Sequence, residues 1–231
     1  MLSEEMTILA AVDRVNPHSS VDYVLDIIAN RGIWELNEQI SKCHKCDICK
    51  VAKSLVTVGV ARPRSILVLS EHVTKDQLVN RSTETVFVPY EYSNIANRLG
   101  ELLSERFKDS ALFYADVVHC YPHRTNYNQR PPSTHEISSC LHFLWEAIRI
   151  MRPIAIMLMG NIAVNAVLPG QFIADHDHGK WTEVRDIPAM IFQKPGDVLM
   201  TDKEEDFVKD LDSFVTALKE GTLDEGKILV K

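Results

Sequence analysis

The sequence predicts an α/β fold with three layers, α/β/α, around a central and mostly parallel sheet of four strands. Four short apolar runs have the length and continuity of strands that are buried on both faces. Helix-forming segments separate these runs, and strands that alternate with helices form parallel sheets covered on both sides. The chain has 231 residues, of which 45% are hydrophobic, so it is long enough for one domain with a substantial core.

The elements follow in order along the chain. SSVDYVLDIIANRG has apolar residues at helical spacing, a serine that can cap the first turn and a terminating glycine. It predicts a helix near 20–31, and a second helix begins at about 34. The predicted strands are 65–70, 111–120, 153–160 and 187–192. The remaining predicted helices are 94–107, 134–151, a short one from 161 and a closing one from 202.

We divide the chain into a helical extension (1–35), an α/β domain that contains a cysteine cluster (36–220) and a C-terminal tail (221–231). In open α/β sheets, ligands bind outside the carboxyl ends of the strands. That rule selects four loops as the place of a site: 70–90, 116–133, 160–163 and 193–198.

The chain has no apolar run near the roughly 18–20 residues that a membrane span needs. Its N-terminus is acidic and lacks the basic start of a signal peptide. We therefore expect a cytoplasmic protein. In that reducing compartment, clustered cysteines more often bind metal or do redox chemistry than form disulfides.

Three of the five cysteines lie in one short stretch, KCHKCDICK. Cys43 and Cys46 have the C-x2-C spacing that lets two thiolates reach one metal, and Cys49 extends the pattern. Cys120 and Cys140 lie at the end of a strand and in the following helix, so both could converge on the first pair. Four thiolates can hold a structural zinc or an iron–sulfur cluster. The alternative is a set of unrelated buried thiols that behave as small hydrophobes.

The charge of the chain is unevenly distributed. The net charge is −7, yet residues 42–64 carry six bases and one acid, whereas residues 1–41 carry seven acids and two bases. Either this basic stretch binds the phosphates of a nucleic acid, or it is a solvated face without a partner. The lysines that we assign to phosphate binding are Lys42, Lys45, Lys50 and Lys53.

Four segments, in this order, resemble the iron–sulfur uracil-DNA glycosylases, family 4 of the uracil-DNA glycosylase superfamily. They are CHKCDICKVAKSLVTVGVARPRSILVLSE, ADVVHCYPHRTNYNQRPPSTHEISSC, LMGNIAVNAVL and HGKW. The second is similar to the N-V-V-K-C-R-P-P…N-R-x-P…E…C segment of the family. The resemblance covers about residues 36–218. It implies a uracil-DNA-glycosylase-like fold and a DNA glycosylase.

The resemblance further implies that the thiolates of Cys43, Cys46, Cys120 and Cys140 bind a [4Fe–4S] cluster, with Cys49 as a bystander. Zinc remains the alternative metal. The cluster would be structural, because it would tie the N-terminal segment to the sheet and orient the basic stretch toward DNA. A net acidic chain can bind DNA in this way, since affinity comes from local neutralisation of phosphates.

The loop after the first strand departs from the G-E-x-P-G of the family. Glu71 is retained, and Ser70 stands where the family has its first glycine. Asp76 supplies a second acid further on. A carboxylate here would orient water against the anomeric carbon or stabilise the oxocarbenium charge. The alternative for each acid is a solvated loop residue.

Two more positions correspond to functional residues of the family. Phe87 falls on the aromatic that stacks on the flipped base, although a core phenylalanine is the alternative. Lys194, in KPGDVL, stands where the family has a histidine. A lysine can supply the positive charge that meets the departing base or a phosphate, but not the hydrogen-bond geometry of an imidazole.

Asp116 stands where the family has an asparagine that reads the base. Asparagine offers a donor and an acceptor, which match N3–H and O4 of uracil. An ionised aspartate only accepts, and the exocyclic N4 of cytosine donates. The resemblance thus favours a cytosine-type base, whereas an aspartate that caps the strand end is the structural alternative.

Removal of unmodified cytosine would destroy the host genome, so we expect a modified base such as hydroxymethylcytosine or its glucosylated form in phage DNA. Prokaryotic antiviral glycosylases that attack such bases belong to the same broad superfamily, and the resemblance implies that role. The alternatives are a uracil-DNA glycosylase in base-excision repair and a catalytically inactive iron–sulfur DNA-binding module. A zinc-stapled protein unrelated to DNA is a further alternative.

Overall fold

The computed structural model describes residues 17–50, 57–58, 65–72, 94–107, 112–124 and 129–220. A short 3-10 helix, Asp47–Lys50, follows the first α-helix. The α-helices are α1 (Pro17–Ser41), α2 (Asn94–Arg106), α3 (Thr134–Met151), α4 (Asn161–Val167), α5 (Ala174–Asp177), α6 (Pro195–Val198) and α7 (Glu204–Lys219). The strands are β1 (Thr57–Val58), β2 (Ile66–His72), β3 (Leu112–Val118), β4 (Ala155–Met159), β5 (Trp181–Val184) and β6 (Ile187–Phe192).

The strands form one sheet in the order β1–β3–β2–β4–β6–β5. The four central strands run parallel, which confirms the predicted parallel core. Two antiparallel strands extend it, β1 beside β3 and β5 beside β6. The sequence pattern did not predict these edges. β1 has two residues, and the β5–β6 hairpin turns through Arg185 and Asp186, which have positive φ angles (51° and 65°) without the glycine that usually marks such a turn.

Helices cover both faces of the sheet, so successive strand residues enter different cores. Leu67, Leu69 and Ile156 point toward the core that contains buried residues of α1, α3 and α4. Ile66, Val68 and Met157 point toward the other core, which contains buried residues of α2 and α7. Side chains alternate between the faces of a strand. This alternation produces the predicted three-layer α/β/α arrangement.

The N-terminal helix differs from the prediction. α1 is continuous from Pro17 to Ser41, so the predicted helix end at residue 31 is wrong. Gly32 lies inside α1, and a Cβ atom there would come within 3.1 Å of Cγ2 of Ile150 in α3. The glycine therefore permits close helix packing and does not stop the helix. The division of the chain at residue 35 stays a prediction.

The predicted helix 134–151 is confirmed as α3, and its start has a clear local cause. Ser133 and Glu136 form a capping box, in which each side chain accepts from the backbone N–H of the other residue. The chain leaves the helix at Arg152, which has a positive φ of 46°.

Among the described residues, no helix is long and apolar enough to cross a membrane.

Candidate functional site

The carboxyl ends of β2 and β6 bring two predicted site residues together. Glu71 is the penultimate residue of β2, and Lys194 follows β6. The Lys194 Nζ atom lies 3.0 Å from Oε2 of Glu71. The Glu71 side chain is 8% exposed and the Lys194 side chain 35%. The ion pair therefore presents a partly exposed ammonium group at the edge of the sheet where ligands of α/β proteins bind.

The turn between β4 and α4 holds the other oxygen of Glu71. Oε1 accepts a hydrogen bond of 3.0 Å from the backbone N–H of Ile162. Gly160 has a φ of 92°, and a Cβ atom there would lie 2.6 Å from Oε1 and 3.2 Å from Cβ of Lys194. A glycine is needed at this position for both its conformation and its size. The sequence marked the turn as a motif but gave no sign that it touches Glu71.

A buried carboxylate loses much hydration energy, and it needs charged or hydrogen-bonded partners in compensation. Glu71 has one of each, because Lys194 contacts one oxygen and the Ile162 N–H contacts the other. With both oxygens engaged in this way, the carboxylate holds the lysine in place. The arrangement can stabilise negative charge on a ligand through the exposed part of the Lys194 ammonium group.

Asp116 lies deep in the same edge of the sheet, on β3. It is 3% exposed, and its Cα partner across the β2–β3 ladder is Ser70, which is 2% exposed. Paired residues of neighbouring strands point to the same face, and Glu71 follows Ser70 directly. Asp116 and Ser70 therefore share one face of the sheet, while Glu71 and Lys194 lie toward the other.

The cysteines lie in the core beneath α1 and α3. Cys46, Cys49, Cys120 and Cys140 are buried there, and Cys43 packs against them. Burial raises the pKa of the Cys140 thiol to about 11, and negative charge on Cys46, Cys43 and Glu136 adds to the rise. Burial also raises the pKa of Cys46, with smaller contributions from Cys43, Glu136 and Cys49. Cys43, Cys46 and Cys140 are therefore electrostatic neighbours.

The donor set suits a thiolate-bound metal, although its arrangement is not that of a closed coordination shell. Within the described ranges, no three His, Cys, Asp or Glu side chains are grouped as a metal site. A metal cation would favour the deprotonation of these neighbouring thiols, in opposition to the burial that raises the pKa of Cys46 and of Cys140. The identity and burial of these donors fit an iron–sulfur cluster or zinc.

Cys49 has a separate contact. Its sulfur lies 3.6 Å from Nδ1 of His44. No cysteine in the described part of the chain belongs to a disulfide. The predicted set of four ligands stays a prediction.

Two of the predicted phosphate-binding lysines can be described, and both have partners within the chain. Lys42 is 75% exposed and pairs with Glu38 at 2.6 Å. Lys45 Nζ lies 3.0 Å from Nε2 of His142 and 5.8 Å from the ring centre of Phe143, both on α3. Phosphate binding by Lys42 would thus require exchange of its partner. Lys53, Asp76, Phe87 and the side chain of Lys50 lie outside the described residues.

A partly buried ion pair that the sequence pattern did not predict connects Arg130 to Glu136 in α3. Arg130 donates to both carboxylate oxygens of Glu136, at 2.8 and 2.6 Å. It also donates from Nε to the carbonyl of His123 and from its backbone N–H to that of Pro122. Arg130 lowers the pKa of Glu136. The S-x-x-E capping pattern at Ser133 was the signal from which Glu136 could have been found.

Comparison with known proteins places these residues in a family context. The family model described as the uracil DNA glycosylase superfamily matches residues 63–218, more than half of the chain. The type-4 uracil-DNA glycosylase of Pyrobaculum aerophilum is 25% identical over 141 residues, which cover 59% of this chain and 64% of that protein. This chain thus spans less than two thirds of the length of that relative. Glu71, Asp116 and Lys194 lie within the matched range, and Cys43 and Cys46 precede it.

Proposed function

This chain belongs to the uracil DNA glycosylase superfamily, and from this premise we propose that it is a DNA glycosylase. It would cleave the N-glycosidic bond of a base flipped out of DNA and leave an abasic site. The partner is DNA, and the sheet edge with Glu71 and Lys194 is the proposed place of the reaction. Support comes from the match over residues 63–218, which includes both residues.

The proposed chemistry is hydrolysis at the anomeric carbon. The bond from C1′ to the base nitrogen breaks and the bonding electrons leave with the base. Water adds its oxygen to C1′, and the proton that it loses ends on the departed base. Lys194 stabilises the negative charge on the departing base, and Glu71 keeps the ammonium group in position. Asp76 is the proposed carboxylate that orients the water, and Phe87 the proposed aromatic that stacks on the base.

The observation that carries the proposed base choice is the burial of Asp116 at the carboxyl part of β3. In a desolvated place, an ionised carboxylate accepts from a donor such as cytosine N4–H and repels a carbonyl oxygen such as O4 of uracil. Because Asp116 and Glu71 lie toward opposite faces, the base would straddle the end of β2. Its reading edge would then point to one face and its glycosidic bond to the other.

We propose a modified cytosine as the substrate, with hydroxymethylcytosine or its glucosylated form as the leading candidates. A glycosylase that removed ordinary cytosine would damage the genome of its own cell. A requirement for a 5-substituent avoids this damage and directs the enzyme to phage DNA that carries such bases. An antiviral role follows from that requirement.

The proposed protein also contains a metal centre that is held by cysteines. Thiolates of Cys43, Cys46, Cys120 and Cys140 would hold a [4Fe–4S] cluster, with zinc as the alternative metal. When bound, the cluster would supply cross-linking and not acid–base chemistry. The burial of Cys46, Cys120 and Cys140 in the core shared by α1 and α3 supports that structural role.

A second candidate is a uracil-DNA glycosylase of base-excision repair. The observation in its favour is the similarity to the type-4 uracil-DNA glycosylase of Pyrobaculum aerophilum. Duplexes that carry one cytosine, hydroxymethylcytosine, glucosylated hydroxymethylcytosine, uracil or thymine separate the candidates. Abasic sites are detected as alkali-labile breaks.

We expect breaks at one or both modified cytosines and at least tenfold slower release of uracil. Efficient release of uracil with no release of modified cytosine would establish the second candidate instead. DNA binding without release of any base would mean an inactive binding module. Lys194→Ala is the control for contaminating activity, because it should lose most of the release. Circular dichroism checks that this variant is folded, since it leaves the buried Glu71 carboxylate without its charged partner.

A further inference from the structure

We infer that Ser70 is a second base-reading residue that works as a pair with Asp116, an inference that rests on the proposed function. Ser70 and Asp116 are Cα partners in the β2–β3 ladder, and each is the third residue from the end of its strand. Neighbouring strands are about 4.8 Å apart, so one planar base edge can meet both side chains at once.

Along the β2–β3 ladder, the pairs in the row of Ser70 change from apolar to polar. Its first two pairs are Ile66 with Leu112 and Val68 with Tyr114, which all belong to the core beneath α2 and α7 or pack against it. The third pair is Ser70 with Asp116, and the last is His72 with Val118. Ser70, Asp116 and His72 are all buried, so the row changes from apolar to polar toward the carboxyl edge, which is the composition of a ligand site.

The hydroxyl of Ser70 supports this inference independently. Ser70 is 2% exposed, and its Oγ atom has no hydrogen-bond partner among the described residues. A buried polar atom is nearly always satisfied in a native protein, and one that is not satisfied calls for a ligand or another explanation. A bound base would supply the missing partner.

The pair offers complementary chemistry. The Asp116 carboxylate only accepts hydrogen bonds, whereas the Ser70 hydroxyl can donate one. A cytosine-type base presents a donor at N4–H and, beside it, an acceptor at N3. Asp116 would accept from N4–H while Ser70 donates to N3. Uracil reverses both positions, because it has O4 and N3–H, and O4 would then face the carboxylate.

Ser70 supplies a side-chain donor that a glycine or an alanine at this position would lack. The pair and not Asp116 alone would set the preference for cytosine-type bases.

Binding to duplexes that resist cleavage tests the inference without requiring turnover. We would use duplexes with one 2′-fluoroarabino nucleotide that carries hydroxymethylcytosine or uracil, and measure Kd for wild type and Ser70→Ala. We expect Ser70→Ala to weaken binding of the cytosine-type duplex about tenfold, which corresponds to about 1.4 kcal/mol. Binding of the uracil duplex should change less than twofold.

Thermal unfolding supplies a second readout. Ser70→Ala should keep or raise Tm, because its hydroxyl has no partner to lose among the described residues. Ser65→Ala is the matched control, since Ser65 is a buried serine just before the opposite end of the same strand. This control should leave the ratio of the two Kd values unchanged.

Equal weakening of both duplexes by Ser70→Ala, or a lower Tm with an unchanged Kd ratio, would overturn the inference and make Ser70 structural. Wild-type protein that binds both duplexes equally would overturn it as well. Selective binding of the cytosine-type duplex, lost in Ser70→Ala, would support it even if no base is ever released. In that case the proposed catalysis alone would fail.

Discussion

Single side chains at the carboxyl edge of the sheet depend on one another through very close contacts. Glu71 is buried, and its position is set by Lys194 on one oxygen and by the turn at Gly160 on the other. Any atom added at Gly160 must displace the carboxylate or the lysine. The packing at this edge therefore limits which atoms it can accommodate and which base it can recognise.

Gly160→Ala should reduce base release at least tenfold and lower the free energy of unfolding by about 1–3 kcal/mol. The new Cβ would lie 2.6 Å from Oε1 of Glu71, on a backbone with a φ of 92°. Gly170→Ala is the matched control, because Gly170 also has a positive φ (71°) but no atom within 4 Å of an added Cβ. It should lose stability but keep activity. Equal activity of the two variants would mean that Glu71 is not needed in its place.

Asp116→Asn should lose activity on modified cytosine and gain some activity on uracil. The amide offers a donor to O4, and it removes the charge that repels this oxygen. An unmet polar group in a desolvated site costs about 1–3 kcal/mol, so we expect a change of at least tenfold in the ratio of the two release rates. Unchanged release of modified cytosine by Asp116→Asn would contradict the assigned role of Asp116.

At the scale of helices and strands, hydrophobic patterns predicted the four parallel strands and the long helices, because these elements bury regular apolar faces. The continuity of α1 and the edge strands escaped prediction for tertiary reasons. Gly32 has the local character of a helix stop, but contact with Ile150 makes it a packing residue. β5 depends on a turn at Arg185, whose guanidinium lies 3.8 Å from the ring centre of Trp145. Such distant contacts leave no periodic signal in the sequence.

The contacts within the site also could not be predicted from local sequence patterns. Sequence motifs indicated Glu71 and Lys194 separately, but their ion pair depends on the order of strands in the sheet, which brings β2 and β6 to either side of β4. Glu136 was visible as part of a capping pattern. Its partner Arg130 was not, because the pairing depends on where the tertiary structure places Arg130 beside the start of α3.

Glu136→Gln should lower the free energy of unfolding by about 2–3 kcal/mol near pH 7. Arg130 holds the pKa of Glu136 below its ordinary value of 4.5, so the ionised pair stabilises the fold above that pH. The contribution is lost as pH falls through the lowered pKa of the folded state. The difference between wild type and Glu136→Gln in chemical denaturation should therefore shrink below about pH 4.5.

The exposed pair on the same helix is the control for Glu136→Gln. Arg149 binds Glu146 with two hydrogen bonds, but its side chain is largely exposed. Glu146→Gln should cost a small fraction of the effect of Glu136→Gln, because water solvates the separated charges. Equal effects of the two substitutions would show that burial of the Arg130–Glu136 pair does not matter.

The cysteine segment and α3 should be joined by metal. Purified protein should contain iron and sulfide, and Cys120→Ser should lose most of both and unfold at a lower temperature, since metal ligation contributes to folding. Cys49→Ser is the matched control, because Cys49 is also buried but contacts His44. It should keep its iron. Zinc without iron in protein prepared anaerobically would overturn the assignment of the cluster.

At the scale of the whole molecule, the net charge of −7 is unevenly distributed, with a basic stretch between acidic ends. Residues 42–64 carry six bases and one acid, and residues 197–231 carry ten acids and five bases. A polyanion would be repelled by the acidic C-terminal region and attracted to the basic one. The distribution of charge can thus orient the protein on DNA even though the net charge is unfavourable.

The salt dependence of DNA binding tests this orientation. The double variant Lys42→Ala/Lys45→Ala should weaken binding to every duplex and reduce the slope of log Kd against log salt by about 1–2, since each lost phosphate contact contributes about 0.9. The effect should not depend on the target base, because phosphate contacts carry no sequence information.

Lys209→Ala is the matched control for this salt prediction. Lys209 is an exposed, ion-paired lysine like Lys42, but it lies on the acidic helix α7, where it contacts Glu205 and Asp206. Its removal should leave the slope unchanged. Glu38→Gln should strengthen binding at low salt, because Lys42 then has no carboxylate to exchange for a phosphate. Equal slopes for wild type and the double variant would mean that the basic stretch faces away from DNA.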